Sequence, residues 1–477
     1  MVALPLFLFW SLAIWGLLSR KPVLIYLFFC SMPFGSVAVL PPGLTAGLTF
    51  TPAPIVALLI IARTLTNQRG INFVAESALS AQKLGIIFAF WVLAAATTLI
   101  MPSLFAGEIL IIPVRGTLSA AAPLYPTNQN ISQFAYITIS IAAVFAFARL
   151  LQSPVMRQHA LRGMSFGAGL VIITGALDFA TQFVPITFLL EPFRTATYAL
   201  LTDVEVLGGK RVIGLMPEAS SYGGLSLGFL TSLYFMRRGV EDPWLRDRYL
   251  PPVLAVLVIF TWLSTSSAAM VGLAMLSGFI ALEWTLRAVG LNLSLTQRKQ
   301  VASEFWIAFS ALFAVTAVIL LKPDLLDPIT ALIDRMVLQK TSSHSFEERN
   351  MWTAVSWQAA IDTFGLGVGL GSTRPSNAFV AVVSSTGFIG AALYYGFIAQ
   401  SLLRRAPASD QSGQALMSAV RWSFPPLFLI GLLIGTSADF GAFGAFRYGL
   451  ASAIAFSGFR TSNVAPVGRP SLSKHTT

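Results

Sequence analysis

Runs of about 17 to 22 apolar residues recur along almost the whole chain, at 2–18, 22–40, 50–65, 84–102, 134–151, 163–183, 219–236, 249–265, 268–286, 304–321, 377–400, 422–438 and 442–459. Each approaches the length of helix that a bilayer core of about 30 Å requires. A soluble fold could not bury so many, and the composition agrees. Hydrophobic residues make up 55% of the chain and charged ones only 11%, whereas soluble domains carry about a quarter charged residues. The expected fold is all-α: a polytopic transmembrane helix bundle of about 12 to 13 spans.

The basic residues predict its orientation, because loops rich in lysine and arginine resist translocation. Alternate loops hold Arg20 and Lys21; Arg63, Arg69 and Lys83; Arg149, Arg157 and Arg162; Arg237, Arg238, Arg246 and Arg248; Arg287, Arg298 and Lys299; Arg404, Arg405 and Arg421; and Arg460, Arg469 and Lys474. Together these are 21 of the 31 basic residues, and the loops are expected on the cytoplasmic side. The net charge of +11 is then a topology signal, and no nucleic-acid partner is implied. Met1 to Leu18 lacks the basic start and small-residue cleavage site of a signal peptide, so the first span is expected to stay.

The membrane domain is expected over 1–460, followed by a disordered cytoplasmic tail at 461–477. Three long outer loops interrupt it, at 103–133, 184–218 and 322–376, and loops of such length are commonly functional. The third is predicted to contain short amphipathic helices over 323–337 and 346–364. Metal and redox chemistry have little to work with. The single cysteine, Cys30, lies in an apolar span, and of the three histidines only His344 falls on the outer face, so neither a disulfide nor a cysteine or histidine metal site is expected. No cofactor is implied.

One stretch carries more chemistry than the rest: SFEERNMWTAVSWQAAIDTFGLGVGLGSTRPSNAFVAVVSSTGFIG, from Ser345 to Gly390. Arg349 opens a segment in which Trp352, Val355 and Ala359 recur at helical spacing. Gly365, Gly367, Gly369 and Gly371 then allow a close backbone approach. The GxGxG pattern is no dinucleotide fingerprint, since no strand precedes it. Ser345 and Glu348 read as a capping box. A cation in a first turn opposes the helix dipole, so Arg349 calls for a phosphate or carboxylate partner.

This stretch resembles the signature of the O-antigen ligase and Wzy-type polysaccharide polymerase family, membrane proteins of the C-type glycosyltransferase class. There an arginine and a tryptophan precede a glycine run, a polar turn and a helix ending in G-h-I-G; here these are Arg349, Trp352, GLGVGLG at 365–371 and STGFIG at 385–390. The resemblance implies a multi-pass protein of the bacterial inner membrane with its active site on the periplasmic face. Its implied reaction is metal-independent transfer of a glycan from an undecaprenyl-diphosphate-linked oligosaccharide to a sugar hydroxyl. Ligases place a histidine followed by asparagine after the glycine run. Ser376 and Asn377 stand there in this chain, which favours a polymerase of exopolysaccharide or O-antigen synthesis acting on a lipid-linked acceptor, with a chain-length regulator as a possible partner besides membrane lipids. A ligase acting on lipid A-core is the alternative, and a transporter of polysaccharide or lipid carrier, or a scaffold without catalysis, are the readings from other classes.

Within that resemblance Arg211, Arg349 and Arg374 are the expected diphosphate-binding residues, since a guanidinium pairs with phosphate oxygens two at a time. Arg349 is also expected to assist catalysis directly. Anchoring to lipid headgroups is the plainer role for Arg211, set below diphosphate binding, and it is the expected role of Lys210. Glu218 is the expected base for the acceptor hydroxyl, although a carboxylate at a helix start is also stabilised by the helix dipole. Asn128 and Gln133, in YPTNQNISQ, and Ser376 and Asn377 are the expected acceptor or sugar contacts, with helix capping the plainer role for such side chains. Asp178, inside the sixth span, and a possible Asp439–Arg447 pair carry no assigned role. The turn Ser264 to Ser267 is expected to cap the helices on either side.

Overall fold

A computed structural model describes residues 3–40, 45, 49–114, 120–198, 200–202, 204–206, 209–289, 302, 304, 306, 327–336, 338–339 and 344–462. The protein is an all-α polytopic membrane bundle. Its helices are α1 (Ala3–Leu18), α2 (Val23–Ser31), α3 (Pro52–Leu65), α4 (Gln68–Ala78), α5 (Gly85–Leu104), α6 (Asn128–Leu150), α7 (Pro154–Ala180), α8 (Ala219–Met236), α9 (Leu250–Leu263), α10 (Ser267–Val289), α11 (Asp327–Met336), α12 (His344–Asp362), α13 (Ala378–Leu403), α14 (Gln411–Ile434) and α15 (Gly441–Ser462). Two short antiparallel ribbons decorate the loops expected on the outer side, β1 (Leu110–Ile111) with β2 (Ala122–Pro123) and β3 (Glu205–Val206) with β4 (Gly209–Lys210). Six helices, α5, α6, α7, α10, α13 and α14, are long and apolar enough to cross a membrane, with shorter apolar helices at 4–18 and 52–65. Twelve of the thirteen expected spans coincide with a helix among the described residues; of the thirteenth, 304–321, all but Glu304 and Trp306 lies outside them.

Aromatic side chains knit the centre. Phe28 of α2, Phe147 of α6 and Phe446 of α15 meet edge to face, with ring centroids 5.0 Å apart for Phe28–Phe147 and 5.7 Å for Phe147–Phe446, a favoured arrangement. Glycines let these helices close in. A Cβ on Gly449 would sit 2.4 Å from that of Phe147, and one on Gly167 would sit 2.7 Å from the Phe29 carbonyl oxygen. Small residues at helix contacts serve this purpose where apolar transfer from lipid supplies little drive.

The second expected span, 22–40, is only half a helix. α2 stops at Ser31, and the buried continuation is unwound but paired. Ser36 N donates to Leu215 O at 2.9 Å, Ser36 O accepts from Thr195 N and Ala196 N, and Val39 N donates to Phe50 O at 2.9 Å. Irregular backbone at such depth persists only where protein satisfies it, and here the second outer loop does so. At the other extreme α7 begins at Pro154, so Arg157, His159 and Arg162, expected in a loop, stand on its first turns. Arg157 Nη1 contacts Asp410 Oδ2 at 2.5 Å and Arg162 contacts Asp242 at 3.3 Å, gathering several basic segments at one end of the bundle.

Both helices expected in the third outer loop are present, as α11 and α12. Ser345, however, lies inside the first turn of α12, which begins at His344, rather than capping it. The expected Asp439–Arg447 pair does not form among the described residues: Asp439 Oδ1 instead accepts from Gly441 N at 3.0 Å. Of the expected tail, residues 461–462 close α15 and 463–477 lie outside the described residues.

Candidate functional site

At the end of the bundle opposite the basic one, the glycine run adopts a conformation that side chains resist. Gly365, Gly367, Gly369 and Gly371 have φ of 76°, 84°, 85° and 77°, the left-handed region that glycine enters without penalty. The close approach that their spacing predicted is made to the bundle itself. Val368 N donates to Ser384 O at 2.7 Å and Gly369 N to Ser385 O at 3.0 Å, while Phe388 N donates to Gly365 O at 2.9 Å. These bonds fill a break in α13 at Gly387, where φ is 72° and ψ −179°. Elsewhere Gly369 abuts Thr98 and Pro102 of α5, and Gly371 abuts the carbonyl of Gln129 on α6.

Beside this run lies a small polar cleft of about 90 Å³, lined among others by Gln133, Thr373, Arg374, Ser385 and Ser437. Its wall is rigid. Ile112 N donates to Thr373 Oγ1 at 3.3 Å, Arg374 N donates to Ile112 O at 2.9 Å, and Ser376 N donates to Thr353 Oγ1 at 3.1 Å. The first outer loop, the glycine run and α12 are thereby tied together. The exposed Arg374 guanidinium lies 4.3 Å over the Trp352 ring, a cation–π geometry that holds the charge without neutralising it. Trp352 is 8% exposed, and its indole N–H has no hydrogen-bond partner among the described residues. Arg349 is exposed one turn earlier on α12, and among the described residues no carboxylate pairs with it or with Arg374.

The other candidates divide between ligand-facing and structural duties. Gln133 reaches the cleft and accepts from Ser437 Oγ at 3.4 Å. Asn128 is exposed at the first position of α6. Ser376 is buried, and Asn377 caps α13, its Oδ1 accepting from Phe379 N at 2.9 Å and Val380 N at 3.1 Å. Sequence reasoning passed over Asn130, the most constrained amide of this group. Buried, it donates from Nδ2 to Leu370 O at 2.7 Å and to Ser372 Oγ at 2.8 Å, clamping the end of the glycine run. The signal was Thr127 three residues earlier, whose backbone N–H donates to Asn130 Oδ1 at 2.7 Å in a capping box.

Arg211 and Glu218 form a second group, and no hydrogen bond or ion pair among the described residues joins it to Arg349 or Arg374. Arg211 is half-buried and donates from Nε to Thr265 Oγ1 at 3.0 Å and from Nη2 to Thr265 O at 3.2 Å. It thus caps the turn at 264–267, where Thr265 has φ of 46°. Burial pushes the Arg211 guanidinium below its ordinary pKa, with the Glu218 charge acting in the opposite direction. Glu218 precedes α8 and accepts from the hydroxyls of Ser220 and Ser221. Just behind, Asp178 is fully buried, with Arg194 at 3.2 Å, Lys210 at 3.4 Å and the amides of Ile213 and Gly214 at 2.7 and 3.1 Å. That carboxylate is the pin that holds the second outer loop to the bundle.

Among the described residues no cluster of three histidine, cysteine or acidic side chains could hold a metal ion. Neither protein-family models nor curated proteins match the chain, so a functional reading of this end of the bundle rests on its own residues and their geometry.

Proposed function

We propose that the chain is a glycan polymerase acting at the periplasmic face of a bacterial inner membrane, transferring a glycan from an undecaprenyl-diphosphate donor to a lipid-linked sugar acceptor. The observation that carries this reading is the pair of exposed cations, Arg349 and Arg374, without carboxylate partners among the described residues, the second of them lining a braced polar cleft. Exposed charge of one sign on a rigid wall suits a dianionic leaving group. In the reaction the acceptor hydroxyl oxygen bonds to the anomeric carbon as the bond from that carbon to the diphosphate breaks. The hydroxyl proton passes to Glu218, and the guanidinium groups of Arg349 and Arg374 hold the charge left on the lipid diphosphate. Gln133 and Asn128 supply amides to sugar hydroxyls. Arg211, engaged with Ser264 and Thr265, shapes the ground on which Glu218 stands and adds positive potential.

One assay tests the assignment: lipid-linked repeats and polymer are extracted from cells carrying each variant. Arg349→Lys and Arg374→Lys lose the two-pronged fork, and each is expected to lower turnover about 10²-fold. Glu218→Gln keeps size and loses the proton-accepting charge, for an expected fall of about 10² or more. Single lipid-linked repeats should accumulate in all three. Normal polymer in both lysine variants would reject the diphosphate role, and long polymer that never reaches lipid A would make the chain a ligase.

The break in α13 at Gly387 favours a second reading, a transporter, since broken helices line many transport pathways. Among the described residues, the glycine run fills this break with backbone, Val368 N and Gly369 N donating to Ser384 O and Ser385 O, which supports the polymerase over the transporter. A transporter would strand lipid-linked repeats on the cytoplasmic face instead. Sidedness is tested separately in a Cys30→Ser background. An impermeant maleimide is expected to label Glu108→Cys in intact cells and Ser409→Cys only after lysis, as the basic asymmetry requires. The reverse pattern would invert the bundle and put the cleft inside the cell.

A further inference from the structure

At the basic end of the bundle, about 24 Å from the polar cleft along α6 from Gln133 to Arg149, the ends of four helices and the turn between α1 and α2 surround a cavity of about 430 Å³. The last turns of α3 and α6, the first turns of α2 and α7 and the turn between α1 and α2 enclose it. Among the described residues four cations line it, Arg20, Lys21, Arg63 and Arg149, and no carboxylate does. Arg63 and Arg149 are fixed in place. Arg63 Nη1 donates to Gly16 O at 2.6 Å, and Arg149 donates to Thr64 O and, at 3.1 Å, to Asn67 Oδ1. Arg20 and Lys21 are exposed at the rim.

Two further features point to an anion. α2 and α7 start at this cavity, behind Pro22 and Ser153, and neither start carries a side-chain cap. Their first-turn amides and the positive ends of their dipoles add to the four cations. Beside the polar Thr64, Asn67 and Ser153, the remaining wall is apolar, with Leu24 and Ile60 inside, and Leu17 and Leu18 of α1 are exposed just beside the rim. A cationic floor with an apolar flank facing the bilayer matches an amphiphile whose head is anionic and whose tail is not.

We propose that this cavity binds a phosphate-bearing anion, supplied by the headgroup of an anionic membrane lipid. The site is separate from the polar cleft, shares no residue with it, and stands whether or not the chain transfers glycans. Occupancy would tie the turn between α1 and α2 to α3 and α6 by bridging their cationic residues, which otherwise repel.

Purified full-length protein in neutral detergent is titrated with phosphatidylglycerol, with phosphatidylcholine of the same chains, and with inorganic phosphate, and thermal unfolding is followed. Phosphatidylglycerol is expected to raise the midpoint saturably, and phosphatidylcholine is not. In Arg20→Gln/Lys21→Gln, which alters only rim side chains, half-saturation should move up about thirtyfold. Inorganic phosphate reproducing the full shift would keep the site and make its natural ligand a soluble phosphate. Equal stabilisation by both lipids, or a double variant that responds as the parent does, would overturn the proposal.

Discussion

Gly387→Ala is expected to prevent the folded protein from accumulating. The position has φ of 72° and ψ of −179°, a region that residues with a Cβ occupy only at a cost of about 1–3 kcal/mol. Space adds to the conformational penalty. A Cβ there would lie 2.3 Å from the Gly365 carbonyl oxygen and 2.7 Å from the Leu366 backbone. Neither neighbour can yield by changing a rotamer, because both are main chain, and Gly365 O accepts from Phe388 N across the break. Overpacking of that kind costs about 1–3 kcal/mol more, and the sum is a large share of the roughly 5–15 kcal/mol that holds a typical domain together. The measurement is the monodisperse fraction in mild detergent and its thermal midpoint. Gly278→Ala is the control, since among the described residues nothing lies within 4 Å of a Cβ at that helical position, and helix propensity makes it neutral or slightly stabilising. If Gly387→Ala behaves like the control, the seam between the glycine run and α13 is not what holds this end together.

That seam also marks the limit of what the chain discloses by itself. Apolar length located the helices, because a bilayer leaves the backbone few alternatives. It overestimated α2, where the same apolar residues are buried by protein rather than lipid and the backbone at 32–40 is satisfied by Phe50, Thr195, Ala196 and Leu215. Hydropathy cannot separate those two kinds of burial. The glycine run was legible as a place of close approach, yet its partner was not, since Ser384 and Ser385 read as ordinary helix residues until Gly387 breaks the ladder. Arg374 was legible as a cation near a helix start. Its seat over Trp352, 22 positions earlier in the chain, depends on a chain reversal that no local pattern encodes. Arg211 shows the opposite case, a residue singled out for chemistry that is largely committed to capping the turn at 264–267.

Asp178→Asn is expected to release the second outer loop and to destabilise the protein by about 3–5 kcal/mol, the range for removing one partner of a buried charge cluster. The carboxylate is wholly buried, while Arg194 and Lys210 are 12% and 16% exposed, so the two cations would be left with little water to replace it. Asparagine has the same shape, but only one of its two polar atoms accepts a hydrogen bond. The wild-type carboxylate accepts from the cations on Oδ1 and from the amides of Ile213 and Gly214 on Oδ2, so the amide must turn donors toward one set. Either choice frees a strand of the loop, and the loop also bridges the unwound end of α2 through Thr195 and Ala196. Limited proteolysis reads the release directly, with new cleavage expected between 184 and 211 before the rest of the bundle is cut. Because Arg211 and Glu218 flank the pinned amides of Ile213 and Gly214 within a few residues, the proposed glycan transfer should fall in step although Asp178 touches no substrate. A variant that keeps the wild-type midpoint and protease resistance while losing activity would move Asp178 from a positioning role into the reaction itself.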